Sequence, residues 1–206
     1  ALMKMLRGVA FGVIFFAVVS LLMGAMGFLA FERNDAGELQ GYGALGGVLL
    51  VALGWAVQGS AEEVMFRGWL LQTAAARYGP LAGVLISTLV FALSHTFNLD
   101  FDPIALTNLF LTGLFFAFYA LYEGSQWGVC ALHAAMNWAE VNIFGFNQAG
   151  EEAPGGTILN FSEAGPDLVT GGNAAAVTAG GLIYTAVVLT GIATILFLAH
   201  RRKQTS

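Results

Sequence analysis

Long runs of apolar residues, separated by short polar segments, dominate the hydrophobic pattern of this chain. A membrane-spanning helix needs about 20 apolar residues, because it crosses roughly 30 Å of hydrocarbon at 1.5 Å per residue. None of the long runs alternates between apolar and polar with a period of two, so helices are predicted rather than barrel strands. The stretches that meet or approach this length are 9–31, 42–60, 80–99, 103–122, 127–146 and 179–199.

The second stretch continues without proline into a segment that carries charged residues, 61–78. We interpret the two as one long helix, or as two helices with a shallow break near Gly59 and Ser60. The pair Gly79-Pro80 then predicts a turn, since glycine commonly follows the end of a helix and proline commonly begins the next one. The chain is therefore expected to reverse direction between 61–78 and 80–99.

Composition agrees with a membrane protein and excludes several other classes. Of the 206 residues, 57% are hydrophobic and only 10% are charged, whereas soluble domains carry roughly 25% charged residues. A soluble enzyme and a disordered tail are excluded, and a single cysteine, Cys130, excludes an intramolecular disulfide. A net charge of −5 argues against a nucleic-acid partner. The sequence predicts an all-α, polytopic transmembrane helical bundle that forms a single integral membrane domain over residues 1–206.

Cationic residues flank the first and the last apolar stretch. Lys4 and Arg7 precede the first one, and the cations of 201–203 follow the last. The positive-inside rule then predicts that both termini are cytoplasmic, which requires an even number of spans, about six. Segment 147–178 would be an extramembrane loop on the outer side, acidic and rich in glycine, either an ordered lid or a mobile loop.

Seven polar side chains interrupt or border the apolar stretches, where a charge costs at least about 2.5–3.5 kcal/mol at the centre of a helix. Each has an ordinary structural explanation when it is taken alone: a salt bridge at the membrane edge, a buried histidine in a hydrogen bond, or a polar contact between helices. Together they are of the types that acid–base chemistry needs. They are Glu62, Glu63, Arg67, His95, His133, Asn137 and Glu140.

Helical geometry predicts that some of these residues meet. Glu63 and Arg67 are four residues apart and can pair on one face, while Glu62 is rotated by about 100° and stays available. Glu62 lies seventeen residues before Gly79 and His95 sixteen residues after it. Both are therefore about 25 Å from the same turn, at one depth.

The third group lies on the stretch 127–146. His133 and Asn137 are four residues apart and share a helix face, and Glu140 lies near the same face. His133 follows Ser125 by only eight residues, which is about 12 Å along a helix. It meets the other two groups only if the helix starts or tilts are offset.

Three ordered motifs now carry a family resemblance: Glu-Glu-x-x-x-Arg at 62–67, Phe-x-x-x-His at 91–95, and His-x-x-x-Asn at 133–137. On successive helices of a polytopic chain, they resemble the CAAX protease and bacteriocin-processing family. This Abi group of intramembrane endopeptidases includes the type II CAAX prenyl endopeptidases. The resemblance covers roughly residues 54–146, the expected catalytic core, and suggests an integral protein of a bacterial inner membrane.

The resemblance implies a role for each motif residue. Glu62 is expected to be the general base that activates a water, and His95 is expected to share that water. His133 and Asn137 are expected to donate hydrogen bonds to the oxyanion. In supporting positions, Glu63 and Arg67 would orient the helix and balance charge, while Glu140, outside the motifs, is a candidate supporting residue only.

The resemblance leaves the cofactor open. Family members are often called metalloproteases, and Glu62, His95 and His133 offer three ligands for Zn²⁺ with a fourth position open. The helical His-Glu-x-x-His zinc motif is absent from the sequence, and a metal-free glutamate mechanism has also been proposed for the family. We slightly favour the metal-free version.

Three functions remain as hypotheses. The leading one is an endopeptidase that hydrolyses a peptide or protein substrate near the membrane surface of the lipid bilayer. The second is a catalytically silent membrane subunit that packs in a larger complex. The third is a small transporter in which the buried acids and histidines relay protons, which the lack of an internal repeat disfavours.

Overall fold

The computed structural model describes residues 1–33, 39–95, 103–146, 153–171 and 181–205. Within these residues the chain is an all-α helical bundle with one small sheet, which confirms the predicted fold class. The α-helices are α1 (Leu2–Ala25), α2 (Leu45–Glu63), α3 (Leu71–Tyr78), α4 (Pro80–Ser94), α5 (Pro103–Glu123), α6 (Trp127–Trp138), α7 (Asp167–Thr170) and α8 (Leu182–Thr205).

The segment from Gly41 to Tyr78 is helical throughout its 38 residues, as the first of the two sequence interpretations predicts. A 3₁₀ turn, Gly41–Ala44, precedes α2, and a π-helical segment, Val64–Leu70, joins α2 to α3. No break occurs at Gly59. The irregularity lies instead directly after Glu63, and π-helical turns of this kind are frequent at functional sites.

Four helical segments of the described residues are long and apolar enough to cross a membrane: Leu2–Ala25, Gly41–Tyr78, Pro103–Glu123 and Leu182–Gln204. Helix α4 is apolar but has 15 residues. Helix α6 has 12 residues and continues into a π-helical segment, Ala139–Ile143. The predicted count of about six spans includes these two helices and stays a prediction.

Close packing of helix backbones holds the bundle together. A Cβ atom added to Gly59 of α2 would lie 2.8 Å from the backbone nitrogen of Ala134 in α6. Helix α1 approaches α6 in the same way, since a Cβ on Gly12 would lie 2.7 Å from the carbonyl oxygen of Leu132. Small residues permit such contact between helices in lipid. Helix α6 is therefore clamped between α1 and α2.

Hydrogen bonds fix the two terminal helices at one end of the bundle. The Nζ atom of Lys4 donates to Ser125 Oγ at 2.9 Å, in the turn between α5 and α6. Arg202 of α8 donates to the carbonyl oxygen of Tyr122 at 3.3 Å, near the end of α5. The cationic residues near both termini thus lie at the same end, whose cytoplasmic location stays a prediction.

The opposite end is covered by the described part of the outer loop, 153–171. Its strand β2 (Phe161–Glu163) pairs antiparallel with β1 (Leu29–Phe31), and Gln40 forms a single bridge with Thr157. These contacts agree with an ordered lid. The rest of the predicted loop, 147–152 and 172–178, lies outside the described residues, and the division of the chain at 54–146 and 147–178 stays a prediction.

Candidate active site

The structure brings together one carboxylate and two imidazoles from three helical segments. Glu62 Oε2, near the end of α2, lies 3.8 Å from Nε2 of His95 and 4.0 Å from Nε2 of His133. His95 follows α4 directly, and His133 lies in the middle of α6. The two distances are too long for hydrogen bonds and short enough for a small group held between the three side chains.

An offset between helix ends explains how His133 reaches this depth. A cavity of about 280 Å³ is bordered by Leu71 and Gln72 of the long helix and by the turn 124–126 before α6. That turn therefore lies beside the start of α3, about 10 Å inward from Gly79, since Gln72 precedes Gly79 by seven residues. Glu62 is ten residues from Gln72, and His133 is eight residues from Ser125. Counted from this common level, the two side chains therefore lie at similar depths in the bundle.

The Nδ1 atoms of both histidines are held by oxygen atoms that can only accept hydrogen bonds. His95 Nδ1 lies 2.9 Å from the carbonyl oxygen of Phe91, and His133 Nδ1 lies 2.8 Å from Glu63 Oε1. Each Nδ1 must therefore carry a hydrogen and donate it. In the neutral rings Nε2 then has a lone pair, and both lone-pair atoms face Glu62. The site is a cluster of acceptors that suits a donor such as water.

Aromatic rings confine the two imidazoles. The ring centroids of His95 and Phe91 are 4.7 Å apart, and those of His133 and Phe116 are 4.8 Å apart. The Phe91 position of the second motif is thus occupied by a packing residue that also accepts the hydrogen bond from His95. These ring contacts restrict the rotation of both imidazoles, whose Nε2 atoms face Glu62.

A buried ion pair lies directly behind the site. Glu63 Oε1 accepts a hydrogen bond from Arg67 at 2.7 Å, and both side chains are 0% exposed. Arg67 also donates to the carbonyl oxygen of Gly113 at 3.1 Å, and its guanidinium lies over the ring of Phe91 at 4.3 Å. The predicted pairing of Glu63 with Arg67 is confirmed, and it leaves Glu62 directed at the imidazoles.

Asn137 does not contact the imidazoles in the bonds that the structure gives it; it reaches Glu62 through a residue that the sequence motifs do not contain. Its Nδ2 donates to Gln58 Oε1 at 2.9 Å, and Gln58 Nε2 donates to Glu62 Oε1. Sequence reasoning missed Gln58. The available signal was its position, four residues before Glu62 in an otherwise apolar helix.

Glu140 lies further along the same helical segment as His133. It is 6% exposed in the π-helical segment after α6, and its carbonyl oxygen accepts a hydrogen bond from the backbone nitrogen of Phe146 at 3.0 Å. This position is two helix turns beyond His133, toward the outer loop. Its supporting role stays a prediction.

In the described part of the chain, the site is open on the side of Glu62 and His95. The side chains of Glu62 and His95 are 22% and 31% exposed, whereas those of His133 and Glu63 are 5% and 0% exposed. Among the described residues, the buried Oε2 atom of Glu62 has no hydrogen-bond partner. Glu62 and His95 therefore border the open side of the site, and the unsatisfied carboxylate oxygen of Glu62 is buried behind it.

The donor types of the cluster suit zinc, because two imidazole Nε2 atoms and one carboxylate are common zinc ligands. The bonds from both Nδ1 atoms to oxygen also resemble those that orient zinc-binding histidines. Within the described ranges, however, no group of three His, Cys, Asp or Glu side chains is arranged so that it could hold a metal ion. The zinc hypothesis for Glu62, His95 and His133 stays a prediction.

Comparison with known families agrees with the geometry. A family model described as type II CAAX prenyl endopeptidase Rce1-like matches residues 44–139, which contain all three motifs and Gln58. These residues, just under half of the chain, are similar to this family. The match supports protease activity of the CAAX endopeptidase kind, on a peptide substrate and in a lipid environment. Searches among curated proteins and among solved structures found no match.

Proposed function

We propose that the protein is an intramembrane endopeptidase in which Glu62 activates water for attack on a peptide carbonyl. One observation carries the proposal: Glu62 Oε2 faces Nε2 of both His95 and His133 at 3.8 and 4.0 Å. Groups separated by such distances commonly share a bridging water. A water there can donate one hydrogen to Glu62 Oε2 and the other to His95 Nε2, which lowers the cost of removing its proton.

These positions support the following reaction. Glu62 takes one proton from the water while His95 Nε2 accepts a hydrogen bond from the O–H that stays, and the water oxygen bonds to the carbonyl carbon. The electron pair of the C=O π bond moves to the carbonyl oxygen as negative charge. Glu62 then gives its proton to the amide nitrogen, the oxyanion re-forms the C=O bond as the C–N bond breaks, and the products are a carboxylic acid and an amine. A positioned general base of this kind contributes typically 10²–10⁴-fold to the rate.

We assign the stabilisation of the oxyanion to two hydrogen-bond donors on α6. In its imidazolium form His133 donates from Nε2 throughout the reaction and keeps its proton, and Glu63 stabilises the imidazolium by accepting the hydrogen bond from Nδ1. Asn137 has a second amide hydrogen beyond the one that it gives to Gln58. Removing one such donor commonly costs 10²–10³-fold in kcat.

Two finer assignments belong to the same proposal. We place the protein in the CAAX protease and bacteriocin-processing (Abi) group, on its three intact motifs, and in a bacterial inner membrane. The intact arrangement of all motif side chains favours the enzyme over the silent subunit. Fractionation of native membranes followed by detection of the protein tests the location.

A cleavage assay tests the function. The purified protein is placed in liposomes with peptides that carry a cysteine four residues from the C-terminus, with and without a farnesyl group, and products are read by mass spectrometry. We expect Glu62→Gln and His95→Ala to lower kcat at least about 100-fold. Glu32→Gln, at an exposed glutamate away from the site, serves as the matched control and keeps wild-type activity. Equal activity in all four proteins would overturn the proposal.

A further inference from the structure

Gln58 of α2 is a polar residue whose side chain turns into the bundle, unlike that of its neighbour Val57. The adjacent Val57 is 72% exposed and faces away from the bundle. Gln58 is half-buried and points to α6, where it accepts a hydrogen bond from Asn137 Nδ2 at 2.9 Å. On its other side it donates to Glu62 Oε1, one helix turn further along α2. Both polar ends of this amide are therefore used.

The direction of both hydrogen bonds is fixed by chemistry. An ionised carboxylate only accepts, so the NH₂ group of Gln58 must face Glu62. The oxygen of Gln58 then faces Asn137, which must present its own NH₂ group. The carboxylate of Glu62 thus sets the orientation of two amides in sequence, and those amides in turn restrict the carboxylate.

We infer that Gln58 is a positioning residue that holds Glu62 Oε1, so that Oε2 faces the two imidazoles, and that links Asn137 to the same carboxylate. The inference rests on the proposed peptidase function. Glu62 is 22% exposed on the open side of the site, and its side chain has several rotamers available. A hydrogen bond to one oxygen removes most of these rotamers and leaves the other oxygen directed at the reacting water.

Local packing supplies the geometry for this role. Gly59 brings the backbones of α2 and α6 together at Ala134, one helix turn before Asn137. A larger residue at 59 would separate the helices and stretch the bond from Asn137 to Gln58. The alternative role for Gln58 is simply to join two helices in lipid, as polar residues often do. That role predicts a loss of stability without a change in the turnover of the folded enzyme.

A comparison of two variants separates the roles. Gln58→Met keeps the length of the side chain and removes both hydrogen bonds. Trp138→Phe removes another hydrogen bond between α6 and α2, from Trp138 Nε1 to the carbonyl oxygen of Val48 at 2.9 Å. Steady-state kinetics on the liposome peptide assay are measured for both, with Val57→Ala as the lipid-facing control.

We expect Gln58→Met to lower kcat about 10- to 100-fold with KM within twofold of the wild type, because the carboxylate is mispositioned in the reaction and not in binding. Trp138→Phe and Val57→Ala keep the wild-type kcat. A Gln58→Met enzyme with wild-type kcat overturns the inference while the proposed function stands. A wild-type protein without turnover on either peptide class overturns the proposed function, and the inference with it.

A second measurement examines the contact itself. Thermal unfolding in detergent is compared for Gln58→Met, Glu62→Met and the double variant. If the two side chains interact, the shift in Tm of the double variant differs from the sum of the single shifts. Additive shifts overturn the inference whatever the activity of the protein.

Discussion

Nδ1 of His133 lies 2.8 Å from Oε1 of Glu63, the same oxygen atom that accepts a hydrogen bond from Arg67 at 2.7 Å. One carboxylate oxygen therefore neutralises a buried cation and also fixes the hydrogen on a histidine of the site. The adjacent Glu62 makes no such ion pair with Arg67 in the bonds observed and faces the imidazoles instead. The two neighbouring glutamates of the first motif thus have different tasks, because the helix turns them about 100° apart.

The first prediction concerns this buried ion pair. Replacing Glu63 with Met leaves the guanidinium of Arg67 buried without a counter-charge, which commonly costs about 3–5 kcal/mol. The double variant, Glu63→Met with Arg67→Met, removes both charges and is expected to regain most of the lost stability. The free energy of unfolding in detergent measures both effects. A double variant as unstable as the single one would contradict this account.

Activity is expected to behave differently from stability in the same double variant. His133 no longer has the acceptor for its Nδ1 hydrogen, so its orientation toward Glu62 is lost even in a well-folded protein. We expect kcat to stay at least tenfold below the wild type. Full recovery of kcat together with stability would show that Glu63 serves the ion pair alone.

The second prediction tests the close approach of α2 and α6. Gly59→Ala places a Cβ 2.8 Å from the backbone nitrogen of Ala134, and backbone atoms cannot move aside as a side chain can. We expect a loss of about 1–3 kcal/mol in the free energy of unfolding, together with a lower kcat. Gly54→Ala on the same helix is the matched control, since a Cβ there meets nothing within 4 Å. Similar losses at both positions would argue against a packing effect at Gly59.

Much of the fold and part of the site follow from the sequence because they depend on local rules. The length of the apolar runs predicts the long helices, and the Gly79-Pro80 turn predicts that Glu62 and His95 lie at one depth. The four-residue spacing predicts the pairing of Glu63 with Arg67. Each of these depends only on helix rise and periodicity.

The remainder depends on tertiary packing, which has no local signal. The turn before α6 borders the same cavity as Leu71 and Gln72, well inward from Gly79, so counting residues from Ser125 alone placed His133 too shallow. Gln58 is a single uncharged polar residue, which a membrane helix often tolerates, and its role depends on the approach of Asn137 from another helix. The π-helical segment 64–70 likewise has no proline or paired glycines that would predict it.

The third prediction addresses the metal. The metal-free mechanism that we favour predicts that incubation with EDTA or 1,10-phenanthroline, followed by removal of the chelator, leaves kcat unchanged. Metal analysis of the active protein by mass spectrometry is the independent readout, with less than about one tenth of an equivalent of zinc expected. Loss of activity that added Zn²⁺ restores would instead support a zinc site at Glu62, His95 and His133.

The fourth prediction concerns the outer loop. Asn142 is fully buried after α6; its Oδ1 accepts a hydrogen bond from Trp55 Nε1 at 2.7 Å, and its Nδ2 donates to the carbonyl oxygens of Pro154 and Gly156 at 2.8 and 3.0 Å. Asn142→Leu leaves all three partners without their bond, and an unsatisfied buried polar group costs about 1–3 kcal/mol. We expect a lower Tm and faster amide hydrogen exchange in residues 153–159.

The graded control for this loop is Trp55→Phe, which removes one of the three hydrogen bonds and leaves those to Pro154 and Gly156 in place. It should lower Tm less than Asn142→Leu and leave exchange in 153–159 near the wild-type rate. This order follows because the loop is held by Asn142 Nδ2, while Trp55 only fixes the orientation of that amide. Equal exchange rates in the wild type and Asn142→Leu would mean that the sheet of β1 and β2 holds the loop without Asn142.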